Sequence, residues 1–124
     1  MKERGFGRIL NVSSSAVREP IPVLMLSNVH RSGLLAGFKT LARGLAGDGI
    51  TVNTVLPGRI ATDRLADPQG SLGGAEQAAK EQVPAARLGT VEEFAAVAAF
   101  LCSERASYVT GAAVLVDGGL THSI

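Results

Sequence analysis

Cysteine is almost absent: Cys102 is the one cysteine among 124 residues, so no internal disulfide framework holds this chain. Such usage fits a reducing cytoplasm. Cys102 sits in an apolar, helix-like run and is read as a core residue rather than a reactive thiol. One-sided charge is missing too, since 12 basic residues stand against 11 acidic ones without runs of either sign. That balance predicts no electrostatic grip on nucleic acid or an anionic membrane. No stretch approaches the ~20 apolar residues that a membrane span needs. The charged start, Met1 to Gly5, is followed by an apolar run that ends at Asn11, too short for a secretory signal. The predicted location is cytoplasmic.

What the chain has in quantity is apolar surface. It is 46% hydrophobic with a mean hydropathy of +0.25. Its length suits one domain with a core and is too short for two. That much apolar surface points to strands covered on both faces, as in parallel sheets flanked by helices.

Three short β-branched runs read as strands: Arg8 to Val12, Ile50 to Leu56 and Ala113 to Val116. Between the first two, Leu34, Leu35, Phe38, Leu41, Ala42 and Leu45 recur at spacings of three and four. They predict one face of a helix from about Leu26 to Ala46, stopped by Gly47-Asp48-Gly49. Residues 63 to 85 are polar, with Pro68, Gly70, Gly73 and Gly74 as breakers, and predict a loop with one helix around Ala75 to Gln82. Thr90-Val91-Glu92-Glu93 has the form of a capping box and opens a helix that ends near Ser103. Strands alternating with helices predict an α/β parallel sheet of about three strands with right-handed crossovers, at least one edge of which is unpaired.

Taken singly, three serines after a strand make a loop or a cap, and Pro-Gly or Asp-Gly-Gly makes a turn. Their order and spacing are more specific. Gly7-Arg8-Ile9-Leu10-Asn11-Val12-Ser13-Ser14, then Leu41-Ala42-Arg43, then Gly49 to Gly58, then Tyr108-Val109-Thr110-Gly111 and Val116-Asp117-Gly118-Gly119 span nearly the whole chain. The set resembles the short-chain dehydrogenase/reductase family, nearest its branch of β-ketoacyl carrier-protein reductases and glucose dehydrogenases.

The resemblance implies a doubly wound Rossmann sheet, of which residues 1–124 correspond to the carboxyl-terminal portion as a single partial domain. It implies an NAD- or NADP-dependent hydride transfer between a carbonyl and an alcohol on a small molecule, in a homo-oligomer. Ser14 matches the serine that hydrogen-bonds the substrate carbonyl. Pro57, Gly58 and Ile60 match the stretch beside the nicotinamide, and Thr62 a threonine that bonds the cofactor. Asp63 to about Arg87 matches the substrate-covering segment. No metal ligands are implied.

Two departures stand against these agreements. The family's proton donor is a tyrosine thirteen residues after the serine and four before a lysine, and counting from Ser14 reaches Ser27 and Arg31. Tyr108, the one tyrosine, lies in a different motif. A phenol near pKa 10 beside an ammonium can share a proton at neutral pH, whereas a serine hydroxyl is far less acidic. Arg31 can still donate to ribose hydroxyls, but guanidinium does not release protons at working pH. His30 is a speculative proton carrier set against a plain surface histidine, and His122 reads as solvent-exposed. The second departure is that no glycine-rich phosphate loop follows a strand, so the amino-terminal cofactor-binding half is expected to lie outside this chain, and tight cofactor binding by these residues alone is not expected. Two functions remain open: a portion of an oxidoreductase, or a non-catalytic homologue kept for assembly or nucleotide sensing.

Overall fold

A parallel three-stranded sheet carries the chain, with β1 (Gly7–Val12), β2 (Ile50–Pro57) and β3 (Ala113–Val116) side by side in that order. The computed structural model describes residues 1–67 and 70–123; Pro68, read above as a breaker, lies outside the described residues. Gly7 pairs with Ile50 at one end of the first ladder, and Thr54 with Ala113 begins the second. β2 is central, and Ile50 to Leu56 are buried without interruption. That is why its sequence shows a continuous apolar and β-branched run instead of alternation. Among the described residues the outer edges of β1 and β3 have no strand partner.

Helix α1 (Met25–Leu45) joins β1 to β2, and α3 (Val91–Cys102) lies between β2 and β3; α2 (Gly73–Gln82) precedes α3. Thr90 Oγ1 accepts the Glu93 N–H, and the Glu93 carboxylate accepts the Thr90 N–H at 2.8 Å, so the predicted capping box is formed. α1 packs on β2, where Leu35 and Phe38 border a cavity with Val52 and Thr54. α3 packs against β1, and Arg8 Nε donates to Ser103 O at its carboxyl end. Arg8 and Val52 belong to opposite faces of the sheet, because Arg8 pairs with Thr51, the neighbour of Val52. The two helices therefore cover opposite faces. Crossovers that step the same way across a sheet over opposite faces have opposite hands, so the expectation of right-handed crossovers fails at one of the two.

Two further expectations are corrected. Leu34 and Leu41 do not share the sheet-facing stripe of α1, which is formed by Leu35, Phe38, Ala42 and Leu45; they stand about 40% exposed on its flank. The 3.6-residue period sets them roughly 100° from Leu35 and Ala42. Cys102 is exposed rather than buried, because Leu101 takes the inward position on the last turn of α3. Segment 61–88 has a small core of its own, in which Ala79, Val83 and Leu88 pack with Leu65, Leu72 and Leu120.

Candidate active site

The carboxyl end of β1 supplies the first wall. Ser13 N–H donates to Val55 O at 2.9 Å and extends the ladder one residue beyond the strand. Ser14 is fully extended, and its Oγ accepts the Ala16 N–H at 3.1 Å, capping a short turn at Ser15–Val17. A hydroxyl that accepts there keeps its own O–H free to donate.

The second wall comes from the first turns of α1. Ser27 and Arg31 stand one turn apart, and Arg31 Nε donates to Ser27 Oγ at 3.1 Å. Arg31 Nη1 donates to Ser13 O at 2.9 Å and so ties α1 to the loop that presents Ser14. Two of the five guanidinium N–H groups are thereby engaged, and the rest remain as donors. His30 lies on the exposed face of α1, outside the cavity; the structure does not bring it to the serines.

The third wall leaves β2. Gly58 N–H donates to Val116 O at 3.0 Å, and its backbone passes so close to β3 that a Cβ there would lie 2.6 Å from Asp117 Cβ and 2.8 Å from Asp117 Cα. Glycine is required by that approach. Ile60 then bridges Gly89, and Thr62 opens a turn at Asp63–Leu65. Asp117 fixes the opposing turn: burial alone would raise its pKa, but donors from the Thr121 side chain, Thr121 N and Gly119 N outweigh this and hold it below the usual carboxylate range.

These walls enclose a cavity of about 490 Å³. Ser14, Ser27, Arg31, Pro57, Gly58, Ile60 and Thr62, all named from sequence, line it together. Reasoning from sequence missed Arg59 and Arg64, which line it too, and the apolar contributions of Phe94 and Leu120 from distant segments. The arginines bracket the Ile60–Thr62 stretch in sequence, a signal that was there to be read. His122 is exposed as expected, and it is not idle. Its N–H and that of Ser123 donate to Glu19 Oε1, and its Nδ1 lies 3.6 Å from Glu19 Oε2, fastening the tail over the loop after Ser14. Among the described residues no group of three His, Cys, Asp or Glu side chains could hold a metal ion.

The profile of a family described as enoyl-(acyl carrier protein) reductase matches residues 1–121. The chain belongs to the short-chain dehydrogenase/reductase family. Among its relatives in this family are the NADPH-dependent reductase BacG of Bacillus subtilis, 39% identical over the whole of this chain and 51% of the relative. Another is glucose 1-dehydrogenase 2 of the same organism, 41% identical over 98% of this chain and 46% of the relative. The solved structure of L-sorbose reductase from Gluconobacter frateurii, in complex with NADPH and L-sorbose, superposes with a TM-score of 0.91 at 34% identity. That match covers 100% of this chain and 51% of the reductase. The chain thus spans about half the length of the short-chain dehydrogenase/reductase relatives it matches. The three-stranded parallel sheet is the carboxyl-terminal part of that family's Rossmann sheet.

Proposed function

We propose that this chain forms the substrate and nicotinamide side of an NAD(P)-dependent oxidoreductase that interconverts a carbonyl and an alcohol. The convergence of Ser14, Ser27, Arg31 and the Pro57–Thr62 stretch on one cavity carries the reading. The residues present fit the nicotinamide-ribose end of the cofactor, since Arg31 keeps unengaged N–H donors beside Pro57 and Gly58. A bound reduced nicotinamide would supply a hydride to the carbonyl carbon. Ser14 O–H donates to the carbonyl oxygen and stabilises its developing negative charge. Ser27, polarised by the Arg31 guanidinium, offers a second hydroxyl donor. Neither Ser27 nor Arg31 is a good acid at neutral pH, so proton delivery is slow at this pair and draws on water. Arg31 is chiefly a positioning residue through its bond to Ser13 O.

The test is carbonyl-dependent oxidation of NADPH and NADH, at high cofactor concentration because no glycine-rich turn follows a strand in this sequence. A rate that Ser14→Ala abolishes supports the proposal. Absence of carbonyl-dependent oxidation, even after Ser27→Tyr with Arg31→Lys, overturns it. The second reading, a non-catalytic homologue serving assembly or nucleotide sensing, is favoured by Ser27 and Arg31 standing where the family has tyrosine and lysine. It predicts nucleotide binding without turnover.

A further inference from the structure

We infer that the carbonyl compound held in this cavity is an anion, an oxo acid with an apolar body, and that Arg59 and Arg64 select it. The inference rests on reading the cavity as a carbonyl site. Its lining holds three guanidiniums, from Arg31, Arg59 and Arg64, and no Asp or Glu. Arg31 is tied to Ser27 Oγ and Ser13 O, both neutral, and its remaining donors face the nicotinamide stretch. None of the three meets a counter-charge in the cavity lining. Arg59 donates through Nη2 to Gln82 Oε1, a neutral partner, and its Nε is buried with no partner. A buried donor left unpaired is costly, and native proteins keep few of them. The Arg64 side chain is exposed and makes no hydrogen bond or ion pair with the described residues.

The carboxylates that share a cavity with Arg59 are committed elsewhere. Arg59 also borders a neighbouring cavity of about 350 Å³ that contains Glu93 and Asp117. Glu93 is held in a fork by Arg87 at 2.6 and 2.8 Å and also accepts the Thr90 N–H. Asp117 is saturated by Gly119 and Thr121. Asp63 and Asp67 stand close to Arg64 in sequence, and neither lines the site cavity. The positive charge of the cavity is therefore uncompensated by its own walls. A carboxylate answers it, because the planar guanidinium fork matches two carboxylate oxygens. The rest of the lining, with Ile21, Leu24, Leu65, Phe94 and Leu120, suits a hydrocarbon body rather than a hydrated sugar.

Phosphate groups of the cofactor are the other anions that could meet these arginines, and the experiment separates the two sources. Binding of phenylpyruvate and of its uncharged methyl ester is measured by calorimetry, with and without NADPH, for the protein and for Arg59→Gln, Arg64→Gln and Arg64→Lys. The acid is expected to bind at least ~10-fold tighter than the ester, as charge-assisted pairing implies. Each glutamine variant should bring the acid toward the ester, Arg64→Gln should leave ester and NADPH affinities unchanged, and Arg64→Lys should keep part of the preference. Circular dichroism checks that the variants remain folded. Equal affinity for acid and ester overturns the inference, as does a glutamine variant that weakens NADPH instead of phenylpyruvate. Ester-dependent NADPH oxidation is followed in parallel. Its absence beside an intact acid preference counts against the carbonyl-reductase reading alone, and equal turnover of acid and ester counts against anion selection alone.

Discussion

Asn53 and Thr51 sit two residues apart on one face of β2, both almost fully buried at 2% and 5% exposure, and should respond to mutation in opposite ways. Asn53 Nδ2 donates to Val109 O at 2.8 Å and its Oδ1 accepts the Ala112 N–H at 3.1 Å, so one side chain pins the turn before β3. Asn53→Ala leaves a carbonyl and an amide without partners, and a buried polar group so stranded costs about 1–3 kcal/mol. Both stranded groups are in half-buried residues, where water recovers part of the loss, so the low end applies to each. The expected destabilisation is ~2–3 kcal/mol, a large share of the ~5–15 kcal/mol that holds a domain together. Thr51 Oγ1, in contrast, is buried with no partner. Thr51→Val keeps the shape and removes that hydroxyl, so it should be neutral or stabilising. Urea denaturation followed by circular dichroism, with the slope unchanged, reads both. A loss below ~0.5 kcal/mol at Asn53, or an equal loss at Thr51, would refute this use of burial and pairing.

Ser27→Tyr with Arg31→Lys is expected to raise carbonyl reduction by ~10²-fold or more at neutral pH, since positioned acid catalysis is worth that much. An unchanged steady-state rate would mean that another group already moves the proton. The Glu93 carboxyl is held down to about 2, first by the Arg87 guanidinium and then by the Thr90 N–H. A carboxyl depressed in the folded state stabilises above its unfolded value near 4.5, and that support fades as pH falls toward 2. Glu93→Gln keeps the cap geometry and should flatten the acid limb of the stability profile; a parallel profile, or insensitivity of the wild-type limb to salt, would contradict it. Leu26 and Val29 in the first turns of α1, and Val23 just before it, are each more than two-thirds exposed, which predicts a homo-oligomer by equilibrium sedimentation. A compact monomer at micromolar concentration would show that this strip needs no cover.

The elements that a sequence declares through local chemistry were legible. The Thr90–Glu93 box, the β-branched run at Ile50 to Leu56 and the glycines closing α1 each force their own conformation. The inward position of α1 was harder to read, because an apolar stripe six residues rich in leucine does not say which leucines meet the sheet. Leu34 and Leu41 show this, and Cys102 shows it again at the end of α3. At the site, the resemblance to the family named the serines, Arg31 and the Pro57–Thr62 stretch. Phe94 and Leu120 reach the same cavity from segments far apart in sequence, and no local period announces that meeting.

The press of Gly58 against Asp117 has a counterpart farther along the same turn. Gly118, at φ +64°, would set a Cβ only 2.9 Å from Val83 Cγ1, and its carbonyl accepts the Ala85 N–H. One turn after β3 thus clamps both ends of residues 59–82. Inside those clamps lie Arg59 with its Gln82 partner, Arg64 and the whole of α2. What crosses the boundary is backbone pairing of Gly89 with Arg59 and Ala61, together with the packing of Leu65, Leu72 and Ala79 on Val83, Leu88 and Leu120. The segment is built as an exchangeable cassette: outside that apolar set its polar positions can be rewritten, and with them the charge presented to the ligand, while the frame that holds Ser14 and Arg31 keeps its shape.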